Sequence, residues 1–219
     1  STPKPSSSAS DVYKRQQLRH TFKEIRHLKV VGIFLLAYWF YIDGVDTIVK
    51  MAVDYGATLK FPDSALITAL LMVQFIAFPC ALLFNLLSKK IGVKESVMAG
   101  IIGYGFITFL AYFMSQMWHL YTLAGLVGLF QGGIQALSRS LYTRIIPKEK
   151  SAEFFGFYNM LGKFAAVIGP AMMGTITLMT GNIRYGIISI LLLFILGGYF
   201  LMKVNIEEGS RMAHEYLSK

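Results

Sequence analysis

Charge is scarce in this sequence. Of its 219 residues only 15% are Asp, Glu, Lys or Arg, where an ordinary soluble domain carries about 25%, and the shortfall excludes most water-facing folds. Cysteine occurs once, at Cys80, so no disulfide closes within the chain. The four histidines, His20, His27, His119 and His214, are scattered, and neither CxxC nor HExxH occurs; nothing in the pattern calls for a metal or another cofactor. Disorder is excluded from the opposite direction, because Phe, Tyr, Ile, Leu and Val are abundant. What is present is apolar: 55% hydrophobic residues and a mean hydropathy of +0.54, the composition of a chain that crosses a lipid bilayer several times.

Residues 1–16 stand apart. They are rich in Ser and Pro and lack the apolar centre of a signal peptide. Their last six, Asp11-Val12-Tyr13-Lys14-Arg15-Gln16, look like one reading frame of a transposon-end sequencing adapter. On that reading the leader is non-native, or else simply disordered, and the six-span chain is a gene fragment. Residues 17–29 (QLRHTFKEIRHLK) form a basic juxtamembrane helix suited to anionic lipid.

A spanning helix needs about 20 mostly apolar residues, so the sparse charges act as punctuation. Residues 64–88 are an uncharged run closed by Lys89, Lys90 and Lys94; residues 96–138 are a longer one, divided by the polar Ser115-Gln116-Met117-Trp118-His119 turn. With the remaining apolar stretches, this gives six spans, at about 30–55, 64–88, 96–115, 119–142, 154–180 and 185–202, and a tail at 204–219. Pro79 and Pro170 fall inside spans and should kink them. Fourteen Lys and Arg lie in the loops and flanks of one side, and only Lys60 and Arg184 in those of the other. Because Lys and Arg are retained on the cytoplasmic side, both termini are expected there. The same distribution removes the net charge of +9 as a sign of nucleic-acid binding.

Charges inside spans are the functional candidates, since each costs about 2.5–3.5 kcal/mol at a helix centre unless it faces a bundle interior or wet cavity. At 100° per residue, Asp43, Asp46, Lys50 and Asp54 share one face of the first span, and spacings of three and four let Lys50 pair with either acidic neighbour at i±4. Lys163 is the most deeply placed cation, with Asn159 one turn before it; Gln131 and Gln135 form a further stripe with Ser138, and Gln74 lies mid-span. The amides can equally be interhelical hydrogen bonds, worth about 0.6 kcal/mol each in a membrane. Asp54 and Lys50 can equally be an interfacial ion pair.

Three segments carry a resemblance: Tyr38-Trp-Phe-Tyr-Ile-Asp43-Gly44-Val-Asp46-Thr-Ile-Val-Lys50, then Gln131-Gly-Gly-Ile-Gln135-Ala-Leu-Ser138-Arg139-Ser140, then Glu153-Phe-Phe-Gly156-Phe-Tyr-Asn159-Met-Leu-Gly-Lys163. From about Gly32 to Phe200 the chain resembles the C-terminal half of the vacuole-effluxer-like branch of the major facilitator superfamily, which holds fungal vacuolar amino-acid effluxers and bacterial transporters. The resemblance implies an all-α polytopic membrane protein whose six transmembrane helices are the seventh to twelfth of a major facilitator fold. It implies a secondary active transporter, not an enzyme, moving a small polar solute, amino acids among the candidates, by alternating access. Proton coupling through Asp43 or Asp46 is expected, with Lys163 and the Gln131/Gln135 face meeting the solute. The partners expected are that solute, protons, the lipid of a bacterial cytoplasmic membrane and the missing N-terminal half; nucleic acid is not among them. The loop Ser88-Lys89-Lys90-Ile91-Gly92-Val93-Lys94 departs from the superfamily's basic-loop motif, with Lys89 where an acid is usual and Asn85 where Gly is usual.

Two other classes are weighed. An intramembrane hydrolase needs a buried Ser with a nearby His, or Asp on two helices, whereas His119 lies at a turn and the in-span Asp residues share one helix. A non-transporting receptor or scaffold with the same fold differs from a carrier in showing no solute flux.

Overall fold

A computed structural model describes residues 28–217; the leader at 1–16 and most of the basic helix expected at 17–29 lie outside the described residues. Helix α1 runs Lys29–Thr58, α2 Asp63–Ile91, α3 Val93–Tyr112 and α4 Met117–Ile145. A short 3-10 turn at Lys148–Lys150 leads into α5, Ser151–Ala165, then α6, Ile168–Thr180, α7, Ile183–Ser189, α8, Leu191–Met202, and α9, Ile206–Leu217. Taken with their joints, these make six rods long and apolar enough to cross a membrane: α1, α2, α3, α4, the α5–α6 pair and the α7–α8 pair. Outward faces are apolar too, with Phe75, Phe78, Leu178 and Met179 exposed, as befits helices that meet lipid.

The ends of the helices follow from local sequence. Lys60 adopts a positive φ of 61°, closing α1, and Pro62 precedes α2, whose first turn carries Asp63, the favourable sign for a helix N-terminus. Lys89 and Lys90 occupy the last turn of α2, and Gly92, at φ 101°, turns the chain into α3, a conformation Gly adopts without penalty. Gln116 and His119 cap α4 reciprocally, each side chain meeting the other's backbone. That explains why a polar turn divides the long uncharged run.

Of the two expected proline kinks, one becomes a break. Helix α2 continues through Pro79, whereas the fifth span separates at Ala166 and Val167, shortly before Pro170. Pro170 thus falls in the first turn of α6, where its missing N–H removes no intrahelical bond. The sixth span has a tighter irregularity at Ile190, whose N–H bonds Ile187 O at 3.0 Å.

Small residues set the packing. Along α4, side chains at Gly132 and Gly133 would run into Ala77 O and the Phe84 ring of α2, so these two helices pack backbone to backbone. Gly100 and Gly103 of α3 receive Ile134 and Phe130 of α4. Helix α1 is the hub: Phe34, Ala37, Tyr41 and Val45 are fully buried. Its Gly44 accepts the Phe194 ring of α8, and Gly197 of α8 lies against Tyr41.

Contacts sort the two ends of the bundle. At one, Lys94 Nζ donates to Met202 O at 3.0 Å and Val204 O at 2.6 Å, and Gly209 of α9 packs against Val30 and Ile145. At the other, Tyr55 OH donates to Ala111 O at 2.9 Å and Arg184 Nη2 to Met114 O at 3.1 Å.

Candidate functional site

Helices α1, α4 and α5 border an open polar cleft of about 380 Å³. From α1 come Tyr38, Ile42 and Asp46, spaced by four; from α4, Gln135 and Arg139, also spaced by four; from α5, Tyr158, Asn159, Gly162 and Lys163. Each set occupies one helical face because residues four apart lie one above the other. Gly162 permits the close approach of α5, since a Cβ there would meet Tyr38 OH at 3.1 Å.

An aromatic floor holds these walls in place. The Tyr38 and Tyr158 rings stack at 4.1 Å between centroids, Tyr158 stacks on Tyr142 at 5.0 Å, and Phe34 lies 5.7 Å from Tyr142. Stacked pairs of this kind are worth roughly 0.5–1.5 kcal/mol each beyond their buried area. Two hydrogen bonds cross the floor: Tyr41 OH to Ser138 Oγ at 2.6 Å, and Tyr142 OH donating to Phe154 O at 3.1 Å. Ser138, which continues the glutamine stripe in the sequence, therefore packs inside the bundle and also donates to Ile134 O at 2.6 Å.

The polar face of α1 divides between two surroundings. Asp46 lines the cleft and pairs with Lys50 at 4.0 Å, so among the described residues the ion pair at Lys50 goes to Asp46 and not to Asp54. The Lys50 side chain is 54% exposed against 30% for Asp46, which makes it a weak, water-facing pair. Asp43 is 1% exposed and lies outside the cleft. Its Oδ2 accepts the Gly169 backbone N–H at 2.9 Å, and Thr47 Oγ1 donates to Asp43 O at 2.6 Å.

Of the eight candidates from sequence, the cleft thus unites Asp46, Gln135, Asn159 and Lys163. Lys50 touches the group through Asp46. Gln131 is half-buried and absent from the cleft wall, with its Oε1 buried and without a hydrogen-bond partner. Gln74 is exposed on α2, away from the cleft. Five wall residues lie outside those candidates: Ile42, Gly162 and the polar Tyr38, Tyr158 and Arg139. The signal for Arg139 was present: it lies four residues after Gln135, but it reads as a loop charge when Lys and Arg are counted for topology. Tyr38 likewise lies two turns before Asp46 on one face.

Chemically, the cleft sets one carboxylate among two cations, two amides and two phenol rings. That combination suits a small solute carrying a carboxylate, or both a carboxylate and an ammonium group: Arg presents a fork matched to carboxylate geometry and Lys a point charge. No grouping of three or more His, Cys, Asp or Glu side chains that could hold a metal ion occurs among the described residues.

Residues 3–214 match the family described as "Vacuole effluxer Atg22 like". Over 200 residues the chain is 38% identical to the uncharacterized MFS-type transporter YxiO of Bacillus subtilis strain 168, covering 91% of this chain and 47% of that protein. It is 32% identical over 218 residues to autophagy-related protein 22 of Yarrowia lipolytica, covering 94% of this chain and 36% of the relative. The protein of the same name from Saccharomyces cerevisiae strain S288c is 30% identical over 214 residues, with 90% and 40% covered. The chain spans less than half the length of each of these relatives.

Proposed function

Because this chain belongs to the vacuole effluxer Atg22-like family, we propose that it forms helices seven to twelve of a secondary transporter that moves a small polar solute by alternating access. One observation carries the reading: the cleft that gathers Asp46, Gln135, Arg139, Asn159 and Lys163 from three helices. In a fold of two six-helix halves, substrate sites lie near the bilayer midplane where the halves meet. The cleft supplies one wall of such a site, and a second half supplies the other. On this reading the protein lies in a bacterial cytoplasmic membrane with both termini on the cytoplasmic side, an orientation that the fourteen-to-two distribution of Lys and Arg supports.

The solute is an amino acid or a similar zwitterion. Its carboxylate lies between Arg139 and Lys163, its ammonium group faces Asp46, and Gln135 and Asn159 complete the hydrogen bonding. Asp46 also serves as the coupling carboxylate: a proton taken up there removes the charge that holds Lys50 and the solute's ammonium, so proton binding and solute binding bias the same cleft.

The test is uptake of radiolabelled amino acids by the full-length protein in proteoliposomes under an imposed pH gradient. Asp46→Asn should abolish pH-driven accumulation, and Arg139→Met and Lys163→Met should each raise KM about tenfold, the equivalent of some 1.4 kcal/mol of binding. Unchanged pH-driven uptake in Asp46→Asn refutes the coupling, and wild-type protein that binds solute without flux marks a receptor.

A further inference from the structure

Asp43 resolves an accounting problem at the break in the fifth span. A helix that starts inside a membrane exposes first-turn N–H groups to a medium without water, where an unsatisfied group costs several kcal/mol. In α6 the Ala171 N–H bonds back to Val167 O at 3.2 Å, and Pro170 has no N–H to satisfy. That leaves Ile168 and Gly169. The Gly169 N–H donates to Asp43 Oδ2 at 2.9 Å, and the Ile168 N–H points toward the same carboxylate. Asp43 therefore caps a helix to which it does not belong, 126 residues away in the chain.

The fit is close on every side. A Cβ at Gly169 would run into Thr47 Oγ1 and come within 3.1 Å of Asp43 Oδ1, so only Gly lets α6 begin this near α1. Thr47, one turn after Asp43, ties the cap residue by its 2.6 Å bond to Asp43 O. The carboxylate faces the positive end of α6, where negative charge is favourable. Immediately before the break, the last turns of α5 carry Asn159, Gly162 and Lys163, three residues of the cleft wall.

We propose that Asp43 is a positioning residue: by capping α6 it fixes the bend of the fifth span and so holds Asn159 and Lys163 against the Tyr38 and Asp46 face of α1. It works through its acceptor oxygen and touches neither solute nor transferred proton. The transport part of this inference rests on the function proposed above; the structural part stands without it.

Spin labels attached to cysteines placed at Ala152 in α5 and Thr175 in α6, both exposed, in a Cys80→Ala background of the full-length protein, read the bend as a distance. The two sites are about 34 Å apart for a straight helix at 1.5 Å per residue, well suited to pulsed electron-electron resonance. Asp43→Asn keeps an acceptor oxygen and should preserve the wild-type distance distribution, uptake within about twofold and an unaltered pH profile, because Asn caps helices as well as Asp. Asp43→Ala should shift or broaden the distribution and cut uptake about tenfold or more, the effect of misplacing binding groups. An unchanged distribution in Asp43→Ala overturns the proposal. So does an Asp43→Asn protein that keeps the distribution but loses uptake or changes its pH profile, since the charge would then be what matters. Should Asp43→Ala fail to fold, Gly169→Ala takes its place, because its Cβ would drive the start of α6 off Thr47 and Asp43; it should shift the distribution, and an unchanged one overturns the proposal. Should the wild type carry no solute, the reading of the cleft fails while the distance measurement still decides the cap.

Discussion

One methyl group should be enough to loosen the bundle if it is placed at Gly197. A Cβ there would lie 2.7 Å from Tyr41 Cβ and 2.9 Å from the Tyr41 backbone nitrogen. Carbon atoms settle at about 3.5–4.0 Å, so α8 has to retreat from α1 by roughly 1 Å. No rotamer change avoids this, because the obstacle includes backbone, and Tyr41 is tied to α4 through Ser138. A gap of about 0.5–1 Å forfeits a quarter to a half of each contact's attraction. The seam running from Gly44 and Phe194 to the stacked Phe40 and Phe200 opens with it. Overpacking of this kind costs about 1–3 kcal/mol. The control is Gly174→Ala, where a Cβ meets nothing within 4 Å. Both positions are helical, so the intrinsic gain of roughly 1 kcal/mol for Ala over Gly cancels between them. Cys80, the lone thiol, is buried on α2 away from this seam, and its capture by a maleimide dye during heating in detergent reports unfolding. At about 2–4 °C per kcal/mol for a chain of this size, Gly197→Ala should melt about 2–12 °C below Gly174→Ala. Indistinguishable melting of the two variants would refute the close-packed α1–α8 seam.

Two further outcomes are expected. Lys94→Met removes the ammonium that bonds Met202 O and Val204 O; hydrogen exchange should then quicken at the end of α8 and the start of α9 while α2 stays protected, and uniform exchange across the chain would contradict that local role. A double-mutant cycle of Tyr41→Phe and Ser138→Ala should return a coupling of about 0.6 kcal/mol, the usual size of an interhelical hydrogen bond in a membrane; zero coupling would mean that the 2.6 Å contact adds nothing to stability.

The six-span architecture was legible because charge in a membrane protein is confined by a large energetic penalty. Lys89 and Lys90 lie in the last turn of one helix and Arg144 in the last turn of another, where apolar runs stop. Half of the cleft was legible for the same reason: Asp46 and Lys163 are conspicuous as charges inside apolar segments. The rest depends on which neighbour a face meets, and periodicity does not carry that. Asp43 and Asp46 lie within one arc of α1, yet one meets the start of α6 and the other the cleft. Arg139 carries the opposite lesson, since a cation near a span end also lines the cleft, and a count by loops sees only its place near the end of the span. The break before Pro170 was foreshadowed by the proline, but the carboxylate that meets the Gly169 N–H beyond it lies more than a hundred residues earlier in the chain.

That broken span bears on how the protein is made. Helices α5 and α6, with 15 and 13 residues, reach only about 22 and 20 Å at 1.5 Å per residue, each short of a hydrocarbon core near 30 Å. Neither half is a stable insertion unit, and their joint exposes backbone that lipid does not solvate. Asp43, conversely, is a carboxylate stranded in an otherwise apolar rod until something donates to it. Synthesis runs from the N-terminus, so the acceptor enters the membrane first and waits for its donor. The two short segments thus count as one crossing only together, and the bond that meets the start of the second joins a donor to an acceptor laid down 126 residues earlier.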